Sequence, residues 1–176
     1  MQYTIRRAPI ALGEPTAELN PALWMTDCIS VAHFPWEDSG HRPNVRARVL
    51  WDEHWLAVRF DVEDRYVRAV AQQFNDSVCL DSCVEFFVAP AADPVQDAYF
   101  NFEVNCGGTI LLHRCASTAE REAGQTSQNV TDAEGATIRI AHTLPKIVEP
   151  ELTEPTNWAV EYHVPWSLFE AHFGAV

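Results

Sequence analysis

The sequence predicts an all-β chain folded as an antiparallel β-sandwich of jelly-roll or immunoglobulin-like kind. It adds a long irregular N-terminal segment and a short C-terminal helix. Short apolar runs of period two recur along the chain, separated by turn residues. Strand patterns follow one another without intervening helices, which excludes a βαβ layout. The central runs Asp81–Val88 and Tyr99–Cys106 each show one apolar and one polar face. A chain of 176 residues suits one domain over 1–176, and folding at this size buries about 70% of the surface the unfolded chain exposes.

Taken in order, Gly13 to Pro43 is rich in Pro, Asp and Glu and reads as a wrapping segment, with a short helix near Ala17 to Trp24. Val45 to Trp51 and Trp55 to Val62 are strand runs joined by the polar turn Asp52-Glu53-His54. In the second run Leu56, Val58, Phe60 and Val62 alternate with Ala57, Arg59 and Asp61. Val84, Phe86 and Val88 then oppose Cys83, Glu85 and Phe87, while Phe100, Phe102, Val104 and Cys106 oppose Asn101, Glu103 and Asn105. Gly107-Gly108 turns the chain into a strand at Thr109 to His113. Ala116 to Gly135 is polar and reads as a surface loop. Strands resume at Ala136 to Ala141 and Trp158 to Val164, and Pro165-Trp166-Ser167 opens the helix.

Lys and Arg number 12 against 25 Asp and Glu, a net charge of −13. That balance argues against nucleic-acid binding, which needs clustered Lys and Arg, and against docking on anionic membranes. The N-terminus lacks the apolar core of a signal peptide, so the expectation is a cytoplasmic protein, or a secreted one where a leader has been removed. Five cysteines without CxxC spacing read as reduced thiols.

The polar side of the central strands displays Arg59, Glu85, Asn101, Glu103 and Asn105, joined by Arg139 and Glu161. Side chains that donate and accept at fixed spacing suit a hydroxyl-rich ligand. The same set also reads as an ion-pair network, with Arg59 neutralising Glu85 or Glu103. Paired carboxylates could alternatively serve glycoside hydrolysis. Asp61, Glu63 and Asp64 cluster at a strand end, where hard oxygen ligands suit Ca²⁺, or where they are simply a solvated charge group. Six Trp residues include candidates for a stacking platform, with Trp51 and Trp55 flanking a turn.

The run Val49 to Phe60 with Asp61-Val-Glu-Asp64 resembles the opening hairpin of family 9 carbohydrate-binding modules. Asp81 to Pro90 with Tyr99 to Gly108, and Trp158 to Trp166, resemble later blocks of that family in the same order. The likeness is closest to its family 9-like bacterial branch and covers the chain from about Pro21. It implies a β-sandwich of DOMON type, non-catalytic, that recognises sugars and sometimes holds structural Ca²⁺. The family's strand glutamate matches Glu85 and its strand asparagine matches Asn105, whereas Glu103 stands where sugar-binding members carry an arginine. Val78-Cys79-Leu80 occupy the place of the first stacking Trp, with Phe74 the nearest aromatic. The second stacking Trp belongs to a later segment, so a truncated or short form is expected.

The leading reading is therefore a carbohydrate-binding-like module. A sandwich that has lost sugar binding and serves as an interaction domain is the alternative, with pairing through an exposed sheet edge. A haem domain using Met25, the sole internal Met, and a glycosidase are further options.

Overall fold

A computed structural model describes residues 3–35, 40–90 and 97–174; Trp36 lies outside them. The N-terminal part carries β1 (Arg6–Arg7), helix α1 (Pro21–Trp24), β2 (Ile29–Val31), β3 (Asn44–Trp51) and β4 (Trp55–Asp64). β5 (Val67–Ala69), a 3₁₀ turn (Val78–Leu80), β6 (Cys83–Val88), β7 (Tyr99–Asn105) and β8 (Ile110–Cys115) follow. The remainder holds α2 (Thr118–Glu122), β9 (Gln128–Asn129), α3 (Asp132–Gly135), β10 (Arg139–His142), β11 (Val148–Leu152), β12 (Thr156–Pro165) and α4 (Trp166–Phe173). One sheet has the order β1-β3-β4-β12-β10 with β2 beside β3, a second runs β6-β7-β8-β9, and β11 pairs with β5.

Period-two alternation builds the sandwich directly. Val45, Ala47 and Val49 of β3, Leu56, Val58, Phe60 and Val62 of β4, and Trp158, Val160, Tyr162 and Val164 of β12 are buried on one inner face. Val84, Phe100, Phe102, Val104, Ile110 and Leu112 of the second sheet are buried against them. Phe102 stacks on Tyr162 with ring centroids 5.9 Å apart, a direct bridge between the layers. Burying each such side chain contributes about 1.5–3 kcal/mol before conformational entropy is counted. Pro165 precedes α4, which packs Phe169 and Phe173 edge-on against Phe100.

The polar turn predicted after β3 is organised by Asp52. Its carboxylate accepts the backbone N–H groups of His54 and Trp55 at 2.8 and 2.9 Å, and that of Leu12 at 2.8 Å. At Gly108 the backbone takes φ +78°, a conformation that a side chain would strain. The segment expected to be loop, 116–135, instead contains α2, β9 and α3. Both helices start on capping boxes, Ser117 with Glu120 and Thr131 with Glu134, a spacing that is visible in the sequence. β5 and β11 are short runs without clear alternation and escape a period-based reading.

Candidate functional site

Alternation sends polar side chains outward from both sheets, so the residues read above as one polar face form two. Arg59, Arg139 and Glu161 lie on the outer side of the six-stranded sheet. Glu85, Asn101, Glu103 and Asn105 lie on the outer side of the four-stranded sheet. The expected pairing of Arg59 with Glu85 or Glu103 is therefore not formed. Arg59 instead faces Glu161, its direct partner across β4 and β12.

The chain's own N-terminal segment covers one end of the first face, and a cavity of about 260 Å³ lined by Arg46, Arg59, Asp61 and Glu63 lies at the other. Arg59 Nη1 donates to Glu161 Oε2 at 3.0 Å and to the carbonyl of Thr16 at 3.1 Å, and Nη2 donates to the carbonyl of Ala17 at 3.3 Å. Trp24 Nε1 donates to the same Glu161 oxygen at 2.8 Å. His163 lies between Glu161 Oε1 and the carbonyl of Gly13, 3.0 Å from each. Asp61 pairs with both Arg48 and Arg59. Leu12, Leu23 and Trp24 pack over Leu50 and Ala57, and Arg139 lies over the Trp55 ring at 4.2 Å and pairs with Glu14. Arg59, Glu161 and His163 are almost fully buried, and each has hydrogen-bond partners within the fold.

The second face differs. Glu85 of β6 is the direct cross-strand partner of Glu103 on β7, and Phe87 is that of Asn101, which in turn opposes His113 on β8. Asn101 Nδ2 donates to Glu103 Oε1 at 3.0 Å, and His113 Nδ1 stands 3.9 Å from that oxygen. Glu103 Oε2 and Asn101 Oδ1 are buried and have no hydrogen-bond partner, although the two residues are only 7% and 9% exposed. Phe87, 56% exposed, leans on Tyr99 with centroids 6.1 Å apart and borders these acceptors with an aromatic surface. Burial and the charge of Glu103 push the Glu85 carboxyl up. Burial, then the charges of Glu85 and Glu103, push the Cys83 thiol up to about 12, so it stays protonated at the edge of the face.

The other buried polar side-chain atoms without partners among the described residues are Arg48 Nε, which lies beside Arg59 on the first face, the Tyr162 hydroxyl and the Trp158 indole N–H. Tyr162 and Trp158 belong to the core between the sheets, although Trp158 also borders the cavity beside Arg59. The acceptors of Glu103 and Asn101 point from an outward-facing strand surface.

Asn105 is on this face but is occupied by the fold. Its Nδ2 donates to Asp81 Oδ2 at 2.8 Å, and its Oδ1 accepts from Gly107 and Thr109 at 3.1 and 2.8 Å. Asp81 in turn accepts the N–H groups of Val70 and Ala71. Val78 and Ala71 pack on Leu111 and close that end, where Leu80 stands 75% exposed in the place expected for a stacking Trp. Phe74 is no platform: it packs over Gly135, where a Cβ would come within 2.4 Å of its ring.

The carboxylates of Asp61, Glu63 and Asp64 do not converge. Asp61 binds Arg48 and Arg59, Glu63 accepts from Asn44, and Asp64 pairs with His41. Among the described residues no group of three His, Cys, Asp or Glu side chains could hold a metal ion. Met25 is 86% exposed beyond α1. Trp24 and Trp158 are buried. Trp51 and Trp166 line a separate cavity of about 540 Å³ with Glu53 and Glu170. There Trp166 Nε1 donates to the carbonyl of Asp52, and Glu53 pairs with Arg7. Among the described residues no helix is long and apolar enough to cross a membrane.

Two packed sheets with polar outer faces, one largely covered by the N-terminal segment and one with unmet acceptors, define a β-sandwich. The chain belongs to carbohydrate-binding family 9, whose model matches residues 21–174. Its structure is similar to a Bacteroides uniformis crystal structure provisionally described as a carbohydrate-binding protein. The TM-score is 0.81 and the identity 25%, over 98% of this chain and 75% of the other. No curated protein matches the sequence.

Proposed function

We propose that the outward face of β6, β7 and β8 binds a sugar without transforming it. The observation that carries this is the pair of buried, unpartnered acceptors, Glu103 Oε2 and Asn101 Oδ1. Leaving such a group unsatisfied costs about 1–3 kcal/mol, and a ligand hydroxyl that donates to it recovers that cost. The exposed Phe87 ring, with Tyr99 tilted against it, supplies an apolar surface beside the acceptors, which suits the C–H face of a pyranose ring. Family membership supports a binding role in place of catalysis.

Isothermal titration of mono- and disaccharides tests this reading. Heat is expected with at least one sugar and is expected to disappear in Asn101→Ala and Glu85→Ala proteins that still melt cooperatively. No heat with any sugar sinks the reading. Release of nitrophenol from nitrophenyl glycosides would instead favour the glycosidase alternative, with Glu85 and Glu103 as its carboxylates.

A further inference from the structure

We propose that the ligand of this face is an amino sugar with a free ammonium group, and not a neutral sugar. The inference rests on the sugar-binding reading above and names its substrate class. Glu85 and Glu103 are direct cross-strand partners. Carboxylates opposed in this way repel one another unless something cationic lies between them. None of the outward positions of β6, β7 or β8 is Lys or Arg. Arg121, whose charge reaches Tyr99 at the far end, is held by the carbonyl of Ala116 and the hydroxyl of Thr118. His113 stays 3.9 Å from Glu103 Oε1, the oxygen already served by the Asn101 amide. The free oxygen, Oε2, belongs to a side chain that is nine-tenths buried.

Among the described residues, this face therefore offers acceptors and negative charge, with no guanidinium or ammonium of its own. An ammonium group has three donors and no acceptor, and can bridge Glu103 Oε2 and the Glu85 carboxylate. A neighbouring ring hydroxyl then donates to Asn101 Oδ1. The exposed Phe87 ring covers the other side, where its π face favours a cation as well as C–H groups. An N-acetylated sugar has no charge to place between the carboxylates. A diamine supplies the charge but no hydroxyl for Asn101.

The experiment is titration calorimetry at mildly acidic pH with glucosamine, glucose, N-acetylglucosamine and putrescine, on the wild type and on Glu103→Gln and Glu85→Gln. Glucosamine is expected to bind at least about tenfold more tightly than the other three, equivalent to about 1.4 kcal/mol. Either glutamine variant is expected to erase that preference while melting cooperatively. Glucose binding as tightly as glucosamine overturns the amino-sugar inference and leaves the sugar-binding reading standing. Putrescine matching glucosamine also overturns it, because the hydroxyls then contribute nothing. A wild type that binds none of the sugars removes both.

Discussion

The outer faces of the two sheets carry similar residues and end in opposite states. On the six-stranded sheet, Arg59 opposes Glu161 and the N-terminal segment supplies the remaining partners from Gly13, Thr16, Ala17 and Trp24. On the four-stranded sheet, Glu85 opposes Glu103 and two buried acceptors stay unmatched. A polar sheet face is thus not by itself a binding site. The face whose buried carboxylate is met by donors from the chain itself is structural, and the one whose buried acceptors lack donors is where we propose that a ligand binds.

The largest expected effect breaks this contrast if it fails. Glu161→Ala leaves Arg59 with Asp61 as its one remaining carboxylate and removes the partner of Trp24 Nε1 and His163 Nε2, and is expected to cost about 3–5 kcal/mol in chemical denaturation. Glu103→Gln, on the four-stranded sheet, is expected to change stability by less than about 1 kcal/mol, since no fold partner of Oε2 is lost. Equal losses in the two variants would erase the distinction between the faces.

Asn105→Ala sharpens the boundary within the outer face of the four-stranded sheet. It removes the acceptor for the Gly107 and Thr109 N–H groups and a donor to Asp81, and is expected to destabilise by about 2–3 kcal/mol. Thermal melting separates this from Asn101→Ala, which is expected to affect sugar binding far more than the melting temperature.

The smallest effect concerns pH. The Glu85 carboxyl is raised above its ordinary value of 4.5 by burial and by the charge of Glu103. A raised carboxyl favours the folded state fully below that value, and the contribution is lost as pH rises through the folded pKa. Glu85→Gln is therefore expected to match the wild type in acid and to be slightly more stable at neutral pH. The gain is small because the side chain is largely exposed and solvent screens it. Urea midpoints measured across pH check the sign, and a variant that is less stable at neutral pH contradicts it.

Much of the fold was legible from period two alone. Leu56, Val58, Phe60 and Val62, and later Phe100, Phe102 and Val104, are buried on the sides their alternation assigns. The two short helices in 116–135 were legible too, through their Ser/Thr-x-x-Glu spacing, although their setting between strands masks them as loop. The merging of Arg59 with Glu85 into one face has a physical origin. Alternation reports inward or outward for each strand, and both sheets of a sandwich have an outward side. Asn105 has the same pattern as Asn101, yet its partner Asp81 is 24 residues away.

The amino-acid sequence by itself determined the strands, the apolar inner faces and the acidic balance, because these follow from local alternation and composition. It also placed Glu85, Asn101 and Glu103 on one side of adjacent strands. Only the tertiary structure decided which polar side chains are satisfied, because partners arrive from remote segments: Trp24 for Glu161, Asp81 for Asn105, and none for Glu103 Oε2. Hydrogen bonding is a short-range matter of geometry, and chain folding alone brings such groups within reach of each other.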